Sequence, residues 1–546
     1  MAKQSKYDSL SREQLIDKIL KLEKEKYGLV WEDKEEDVAK HCETELPLLK
    51  EDKMREIVRD KSLPYNIIIE GDNYHSLYAL SFSHKKSIDV IYIDPPYNTG
   101  NKDFVYNDSY VDKTDQFRHS KWLSFMSKRL RLARNLLSNK GLIFISIDDT
   151  EFAQLKLLCD NIFTEKNFII DLIWNSRKSV SNDTIISLNH NHTLVYAKNI
   201  DVIQKNKNDY RLCGSKEKFS NPDNDPRGEW VADPFDAPDV RANLTYIIEN
   251  PNTGRKYLPP KGRHWRTTED EYKRFLADNR IVFGKTGKAK PQLKRFYYEA
   301  EEKGVVSKSI WDDVGTTTNG TQELEKILGE KKFNNPKPVS FLLKILELAS
   351  SKDSTILDFF AGSGTTGHAV LEMNRKDGGQ RKFILCTNNE NNICHEVTYP
   401  RIKKVTEGYA DVTGIPANLK YYTQTFVPVV LSDNDKRELV NRSTDILCVA
   451  EDCFELIRER GNQSDFSVFK SANKQMAIIY DEDYIYDCID YLNENRSELE
   501  TIIYVFSYDH TYDAEDFEGL NIQFSVKPIP EAIINVYRKI SKMKKK

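Results

Sequence analysis

Strand-like and helix-like segments alternate along two separate stretches of this sequence, residues 65–165 and 333–424. Apolar runs such as YNIIIE, IDVIYI and LIFISI are each followed by a pattern typical of a helix. This alternation predicts βαβ units and a mostly parallel sheet. We therefore predict an α/β fold whose central sheet is assembled from two parts of the chain.

Three further regions flank or interrupt these stretches. Residues 1–64 are rich in charge, and their apolar spacing predicts a helical region. Residues 166–332 lose the alternation and contain loops rich in Pro, Asp and Asn, which predicts a domain inserted into the α/β one. Residues 425–546 alternate again, and we predict a small C-terminal α/β module there.

The composition is typical of a soluble globular protein, with 30% charged and 39% apolar residues. No run approaches the roughly 18 apolar residues that would span a bilayer. The first residues lack the apolar core of a signal peptide, and the eight cysteines have no zinc-site or paired spacing. We expect a cytoplasmic location, reduced thiols and no metal.

The inserted region contains a basic segment. Residues 251–300 contain thirteen Lys or Arg and five Asp or Glu, a net charge of +8 in a chain whose total is −4. Such a segment suggests a polyanion-binding surface, although a basic segment taken alone is more often an ordinary solvated surface. The charge alone therefore leaves both interpretations open.

The strand IDVIYI ends in Asp94-Pro95-Pro96-Tyr97. Prolines are costly at the end of a strand because they have no N–H to donate. The sequence suits a substrate with an exocyclic amine, since the Asp94 carboxylate and the Pro95 carbonyl can accept its two hydrogens. Tyr97 offers a flat face on which an extruded base can stack. The alternative is a tight Pro-Pro turn without a chemical role.

A second strand runs into a glycine turn, ILDFFAGSGTTG, with Asp358 at the strand end and Gly362 and Gly364 in the turn. The glycines allow a tight turn and a close approach by a ligand. The third glycine of a dinucleotide-binding turn is missing, and no Gly-Lys-Ser/Thr follows, which disfavours nucleotide hydrolysis. Taken alone, the turn is equally compatible with a simple tight connection.

Together these motifs resemble the amino-group DNA methyltransferases that use S-adenosyl-L-methionine, in which DPPY is catalytic and FxGxG contacts the cofactor. The order found here, DPPY before FxGxG with a long insertion between them, resembles the beta class. The resemblance implies a Rossmann-like methyltransferase sheet in permuted order, with a target-recognition domain over 166–332. Aspartate at the first position points to adenine N6 as the methylated atom, and cytosine-N4 enzymes more usually have serine there.

Several segments resemble the modification subunits of Type III restriction–modification systems, among them KYGLVWEDKEED, DPPYNTGNKDFVYND and NPNTGRKYLPPKGRHWR. This resemblance implies binding to double-stranded DNA, base flipping, a homodimer and a helicase–nuclease restriction subunit as partner. A solitary adenine methyltransferase, and less so a cytosine-N4 or RNA methyltransferase, remain alternatives.

The resemblance also implies roles for individual residues. The catalytic residues are Asp94, Pro95, Pro96 and Tyr97. The cofactor-binding residues are Asp72, Lys337, Asp358, Phe360, Gly362, Gly364 and Glu390, with Glu396 as an alternative to Glu390. The candidate DNA-binding residues are Arg255, Lys256, Arg263, Trp265 and Arg266.

Overall fold

The structure is a computed structural model that describes residues 10–24, 31–101, 103–214, 216–284, 286–461, 465–508 and 511–544. The chain divides into two compact units. The larger unit is formed by Met1–Lys205 together with Lys308–Lys546, and the smaller unit is Asn206–Ser307. Across the described ranges, no helix combines the length and the apolar character needed to cross a membrane.

The first part of the larger unit alternates between strands and helices, as the sequence predicts. Its elements are α1 (Arg12–Lys24), α2 (Asp37–Thr44), β1 (Glu45–Glu51), β2 (Tyr65–Glu70), α3 (Asn73–Ser83), β3 (Ile88–Ile93), β4 (Val105–Tyr106), β5 (Ser109–Tyr110), α4 (Arg118–Leu136), β6 (Leu137–Ile147), α5 (Phe152–Phe163), β7 (Phe168–Trp174), β8 (Asn191–Ala197) and α6 (Ile200–Lys205).

The smaller unit consists of short strands and two helices around its own apolar core. Its elements are β9 (Trp230–Pro234), β10 (Asp236–Pro238), β11 (Ile248–Glu249), β12 (Lys256–Tyr257), β13 (Arg263–Trp265), α7 (Glu269–Ala277), β14 (Ile281–Val282), β15 (Gln292–Phe296) and α8 (Tyr297–Lys303). Its core contains Phe235, Ile248, Trp265, Tyr272, Ile281 and Phe283.

The larger unit resumes after residue 307 and continues to the end of the described chain. Its remaining elements are β16 (Ile310–Trp311), α9 (Thr317–Leu328), α10 (Val339–Ala349), β17 (Thr355–Asp358), α11 (Thr365–Asp377), β18 (Lys382–Thr387), α12 (Tyr399–Glu407), β19 (Gly408–Tyr409), β20 (Val412–Thr413), β21 (Asn418–Pro428), α13 (Asp433–Asn441), α14 (Thr444–Glu451), β22 (Glu455–Arg458), β23 (Phe466–Lys470), β24 (Lys474–Ile479), α15 (Ile485–Glu494), β25 (Glu500–Phe506), β26 (Phe524–Ile529) and α16 (Glu531–Lys544).

The central sheet has ten strands in the order β1-β21-β2-β18-β17-β3-β6-β8-β7-β16. From β21 to β6 every pair of neighbours is parallel. The later segment β17 lies between β3 and β18, so the two stretches of alternation form one sheet. This arrangement confirms the predicted α/β fold with permuted strand order.

The predicted boundaries of the inserted domain, 166–332, are too wide. The compact smaller unit is narrower, because β7 and β8 continue the central sheet by antiparallel pairing next to β6. β16 then pairs in parallel with β7 at the sheet edge. The segments 168–174 and 191–197, which the prediction placed in the insertion, are therefore strands of the central sheet, and β8 is buried along almost its whole length.

The outer boundaries also differ from the prediction. The region 1–64, predicted to be helical, contains the strand β1, whose Leu46, Leu48 and Leu49 are buried. Its Pro47 is tolerated because β1 is an edge strand. At the other end, β21 crosses the predicted boundary at 424/425.

The C-terminal region forms the predicted small α/β module, but it belongs to the larger unit. It contains a five-stranded sheet, β22-β23-β24-β25-β26. Its helices α14 and α16 pack on α3, and the Tyr537 hydroxyl donates to the Pro47 carbonyl at 2.8 Å. Helix α3 is therefore buried along almost its whole length, between the central sheet and this module.

Candidate active site

Three predicted acidic residues lie at one edge of the central sheet. Asp94 follows β3, Asp358 ends β17, and Asp72 lies two residues beyond β2. These strands are parallel, and Leu357 of β17 is level with Ile91 of β3. The carboxyl ends of parallel strands meet at the same edge, which is where α/β sheets bind their ligands. The structure therefore brings the two motifs to one site.

Asp94 is the centre of a three-residue cluster. Its carboxylate accepts a hydrogen bond from the Tyr97 hydroxyl at 2.8 Å and forms an ion pair with the Lys337 ammonium group. Lys337 also donates to the Tyr97 oxygen at 3.2 Å. Burial, and then the charge of Asp94, raise the pKa of Tyr97 well above its usual value, so this tyrosine remains a hydrogen-bond donor.

The two prolines differ in their surroundings. The Pro96 carbonyl accepts a hydrogen bond from the indole N–H of Trp122 at 2.7 Å, which fixes the turn against α4. Among the described residues, none donates a hydrogen bond to the Pro95 carbonyl. The Pro95 carbonyl and the Asp94 carboxylate are therefore the acceptors that this strand end can offer to a substrate.

A buried polar network holds the residue after the motif. Asn98 has a left-handed backbone, with φ of 60°, and its side-chain amide donates to Glu151 at 2.6 Å. His119 shares the same Glu151 oxygen at 2.6 Å. Burial raises the pKa of Glu151. This network links the DPPY turn to the starts of α4 and α5.

The glycine turn is stabilised by Asp358. Its carboxylate accepts from the Phe360 backbone N–H at 3.0 Å and from the Thr366 hydroxyl at 2.5 Å. The side chain is buried, which raises the pKa of Asp358 to about 7. Gly362 and Gly364 have φ of 46° and 74°, a region that favours glycine. The turn therefore presents backbone without Cβ atoms at the start of α11.

Asp72 caps α3 and joins a second buried network. Its carboxylate accepts from the Tyr74 backbone N–H at 2.7 Å, and Arg129 approaches it at 3.4 Å. The buried Arg129 forms an ion pair with Glu36 at 2.7 Å, and its guanidinium lies 3.7 Å from the centre of the Phe125 ring. The segment WEDKEED thus contributes to the wall of the site through Glu36.

The model of a protein family described as DNA methylase matches residues 88–399, more than half of the chain. The chain belongs to the DNA methylase family. The matched residues include both the DPPY turn and the glycine turn.

The chain is similar both to Mod subunits of Type III restriction–modification enzymes and to Type II methyltransferases. The StyLTI Mod subunit of a Type III restriction–modification enzyme, from Salmonella typhimurium, is 38% identical over 63% of this chain and 56% of its own length. The Type II methyltransferase M.KpnI of Klebsiella pneumoniae is 33% identical over 65% of this chain and 87% of its own length. The EcoPI Mod subunit of Escherichia phage P1 is 31% identical over 68% of this chain and 65% of its own length. The matched part of the chain thus spans little more than half of the Salmonella relative.

The remaining predicted cofactor residues lie near the same edge of the DNA methylase sheet. Phe360 is half-buried, and its ring is 5.8 Å from that of Phe125. Glu390 follows β18 in a short turn, is exposed, and accepts a hydrogen bond from the Tyr110 hydroxyl at 3.4 Å. The alternative, Glu396, is also exposed and lies 3.5 Å from Lys332. The choice between the two glutamates stays a prediction.

The predicted DNA-binding residues lie in the smaller unit, and the structure contradicts one of them. Trp265 is fully buried in that unit's core, so its ring is not available to DNA. Arg263 forms an ion pair with Asp236, and Arg266 lies 3.7 Å from Asp233. Lys256 lies 3.8 Å from Glu249. Asp233, Asp236 and Glu249 lie outside residues 251–300, the segment with a net charge of +8. They therefore neutralise part of the excess positive charge of that segment.

Two features of the site were missed by sequence reasoning. The ion pair of Lys337 with Asp94 joins residues 243 positions apart. The Asn191 side-chain amide lies 3.4 Å from the Tyr97 oxygen, although we had assigned Asn191 to the insertion. Neither contact has a local sequence signal, because each depends on which strands become neighbours in the sheet.

Replacing Arg129 with Met is expected to reduce the free energy of unfolding by about 3 kcal/mol, because the buried Glu36 would lose its nearest cation and be left with Lys128 at 3.6 Å. Urea unfolding followed by circular dichroism measures this. Arg131→Met on the same helix is the control, since Arg131 is exposed and we expect a change within about 0.5 kcal/mol. Equal stability of the two variants would contradict the role of the ion pair.

Proposed function

We propose that this chain is a site-specific methyltransferase that transfers a methyl group from S-adenosyl-L-methionine to the N6 amine of adenine in duplex DNA. The observation that carries the proposal is the placement of the DPPY turn beside the glycine turn, at the ends of adjacent parallel strands. Membership of the DNA methylase family supports the reaction class. The aspartate at position 94 favours adenine over cytosine.

The proposed chemistry rests on the acceptors at the end of β3. An exocyclic amine is a poor nucleophile because its lone pair is delocalised into the base. The Asp94 carboxylate and the Pro95 carbonyl would each accept one amine hydrogen, which localises the lone pair on nitrogen and aims it. The nitrogen would form the new N–C bond as the S–C bond of the methyl donor breaks, and Asp94 would accept the amine proton that is released. Tyr97 would stack on the extruded base.

The residues around the glycine turn fit the proposed cofactor. Bound S-adenosyl-L-methionine would supply an electrophilic methyl group. Phe360, Gly362 and Gly364 would line its position, since the glycines leave room for close approach. Lys337 would meet the carboxylate, where a charge-assisted hydrogen bond is favourable. We propose Glu390 for the ribose hydroxyls and Asp72 for the wall of the pocket, while Asp358 would hold the turn itself.

We propose that the smaller unit, rather than the whole of 166–332, recognises DNA. In its basic segment Arg255, Lys261 and Lys288 form no ion pair with another described residue, so their charge is not neutralised by a carboxylate. Arg255 lies 5.2 Å from the ring centre of Tyr257, whose hydroxyl donates to the Lys288 carbonyl. Arg255 and Lys288 therefore flank one tyrosine and suit contact with phosphates.

Replacing Arg255, Lys261 and Lys288 together with Ala is expected to weaken DNA binding by about 10- to 100-fold. The slope of log affinity against log salt should fall by about one for each cation that contacts a phosphate. Fluorescence anisotropy at several salt concentrations measures both quantities. The control replaces Lys273 and Arg274 with Ala, because both are already paired with glutamates on α7. If both variants changed DNA affinity equally, Arg255, Lys261 and Lys288 would not belong to the DNA interface.

We further propose that the chain is the modification and specificity subunit of a Type III restriction–modification system. The names of the StyLTI and EcoPI Mod relatives support this. It would then act as a homodimer with a helicase–nuclease restriction subunit. A methyltransferase without such a subunit is the second candidate, favoured by the match to 87% of M.KpnI. Co-purification with a large ATPase in native extracts distinguishes these two candidates. The mass of the purified chain in solution tests the proposed homodimer.

Methylation-sensitive sequencing of DNA from cells that express the chain tests the proposed function and gives both base and site. We expect N6-methyladenine at one short sequence in cells with the wild-type chain, and none in cells with Asp94→Ala. Modified cytosine at one sequence would correct the target base. Unmodified DNA from cells with soluble wild-type protein would overturn the proposal.

A further inference from the structure

Two histidines and an aspartate converge beside the catalytic edge of the sheet. Asp149 lies two residues beyond the end of β6, and His190 and His192 flank the first residue of β8. The strands are antiparallel, with Ile147 opposite His192. One potential ligand atom from each of the three side chains lies within 4.8 Å of the others. None of the three has a role in the proposed methyl transfer.

Their spacing is close to that of ligands around one metal ion. A tetrahedral zinc ion with bonds of about 2.0–2.1 Å holds its ligand atoms roughly 3.3–3.4 Å apart. The His192 Nε2 and an Asp149 carboxylate oxygen are 3.3 Å apart. The side chains of Asp149 and His190 are accessible to solvent, so small rotations can bring the third ligand atom to the same separation.

The orientation of His192 is fixed from its other side. Its Nδ1 lies 2.8 Å from an Asp171 carboxylate oxygen, and its ring stacks on Phe152 with centres 4.0 Å apart. A histidine that binds a metal through one nitrogen usually donates its other N–H to a carboxylate or a carbonyl. The side chain is only 10% exposed, so this orientation is set by packing as well as by hydrogen bonding.

We propose that Asp149, His190 and His192 bind one divalent transition-metal ion of the zinc class, with Asp171 as the carboxylate that supports His192. Two imidazoles and one carboxylate are a ligand set that such ions accept, with water in the remaining position. We expected no metal from the sequence, because a His-x-His pair is short and Asp149 is distant in the chain.

A metal bound at this site would fix the start of β8 next to Tyr97. Successive residues of a strand point to opposite faces, so His190 and His192 share one face and Asn191 points to the other. The Asn191 amide lies 3.4 Å from the Tyr97 hydroxyl oxygen. A metal ion bound to both histidines and to Asp149 would therefore hold the first residue of β8 in place. Asn191 is a positioning residue in this proposal.

Titration of the full chain with cobalt chloride and zinc chloride, after treatment with a chelator, tests the site. We expect one Co²⁺ per chain with a visible absorption band, displaced by Zn²⁺. His190→Ala should weaken binding at least about tenfold, and Asp171→Asn should weaken it by about 10- to 100-fold. His41→Ala is the control, because His41 pairs with Glu45 in a different part of the chain and should not alter binding.

His190→Ala is the decisive variant, because His190 is partly exposed and its loss leaves the sheet intact. Zn²⁺ should raise the melting temperature of the wild-type chain and not that of His190→Ala. Co²⁺ binding that is absent from the wild-type chain, or equally tight in His190→Ala, would overturn the proposal. His192 would then be an imidazole held between Asp149 and Asp171 without a metal. Neither result depends on methyl transfer.

Discussion

The Asp94→Ala variant is expected to lose methyl transfer to DNA by about 10³-fold or more, while its affinity for S-adenosyl-L-methionine changes little. The variant lacks the carboxylate that would accept one amine hydrogen, and the proposed cofactor contacts at the glycine turn remain. Transfer of tritiated methyl groups to duplex DNA measures the first quantity, and isothermal titration calorimetry measures the second.

The structure shows which control this variant needs. Removing Asp94 leaves the ammonium group of Lys337, a residue whose side chain is 8% exposed, without its carboxylate partner. An unpaired buried charge destabilises a protein, so the double variant Asp94→Ala, Lys337→Met separates lost stability from lost chemistry. Asp94→Asn retains an oxygen acceptor and should lose less activity than Asp94→Ala. A folded Asp94→Ala chain that methylates DNA at the wild-type rate would reject the assigned site.

Replacing Lys337 with Met is expected to weaken cofactor binding by about 10- to 100-fold. A charge-assisted hydrogen bond contributes about 1.5–3 kcal/mol, and the proposal assigns one to Lys337 and the cofactor's carboxylate. Calorimetric titration with S-adenosyl-L-methionine measures the loss. Lys344→Met is the matched control, because Lys344 lies on α10, pairs with Asp313 and should retain wild-type affinity.

Another outcome would separate two roles of Lys337. In the structure its ammonium group contacts Asp94 and Tyr97. If cofactor affinity matched that of Lys344→Met while turnover fell, Lys337 would act on the catalytic carboxylate, and its assigned contact with the cofactor would be wrong.

The convergence of the two motifs could be predicted from the sequence. Each motif follows an apolar strand, and the carboxyl ends of parallel strands meet at one edge, so DPPY and FxGxG had to share that edge once both strands joined one sheet. The structure brings them to adjacent strands, although more than 250 residues separate Tyr97 from Phe360. Local residue types were sufficient for this part because they fix both the strand and the turn that ends it.

The candidate DNA contacts could not be predicted in the same way. Counting charges over 251–300 ignores the acids that pair with them, such as Asp236 with both Arg263 and Lys290. Trp265 has the residue type expected of a nucleic-acid contact, but its ring fills the core of the smaller unit. Ion pairing and burial depend on distant parts of the chain, and a local segment carries no signal for either.

The predicted boundaries of the inserted domain were wrong for a related reason. The apolar segments of β7 and β8 follow the last helix of the first alternation, and no short-range pattern distinguishes a sheet strand from a strand of an insertion. The pairing of β8 with β6 brings Asn191 next to Tyr97, so a residue of the predicted insertion lies in the candidate active site.

Mass spectrometry of nucleosides tests whether the chain transfers a methyl group to the N6 amine of adenine in DNA. Duplex DNA that contains the recognised sequence is incubated with the purified chain and S-adenosyl-L-methionine carrying a deuterated methyl group, and is then digested to nucleosides. We expect deuterated N6-methyladenine with the wild-type chain and none with Asp94→Ala. Deuterated N4-methylcytosine, or no labelled nucleoside from a folded wild-type chain that binds this DNA, would contradict it.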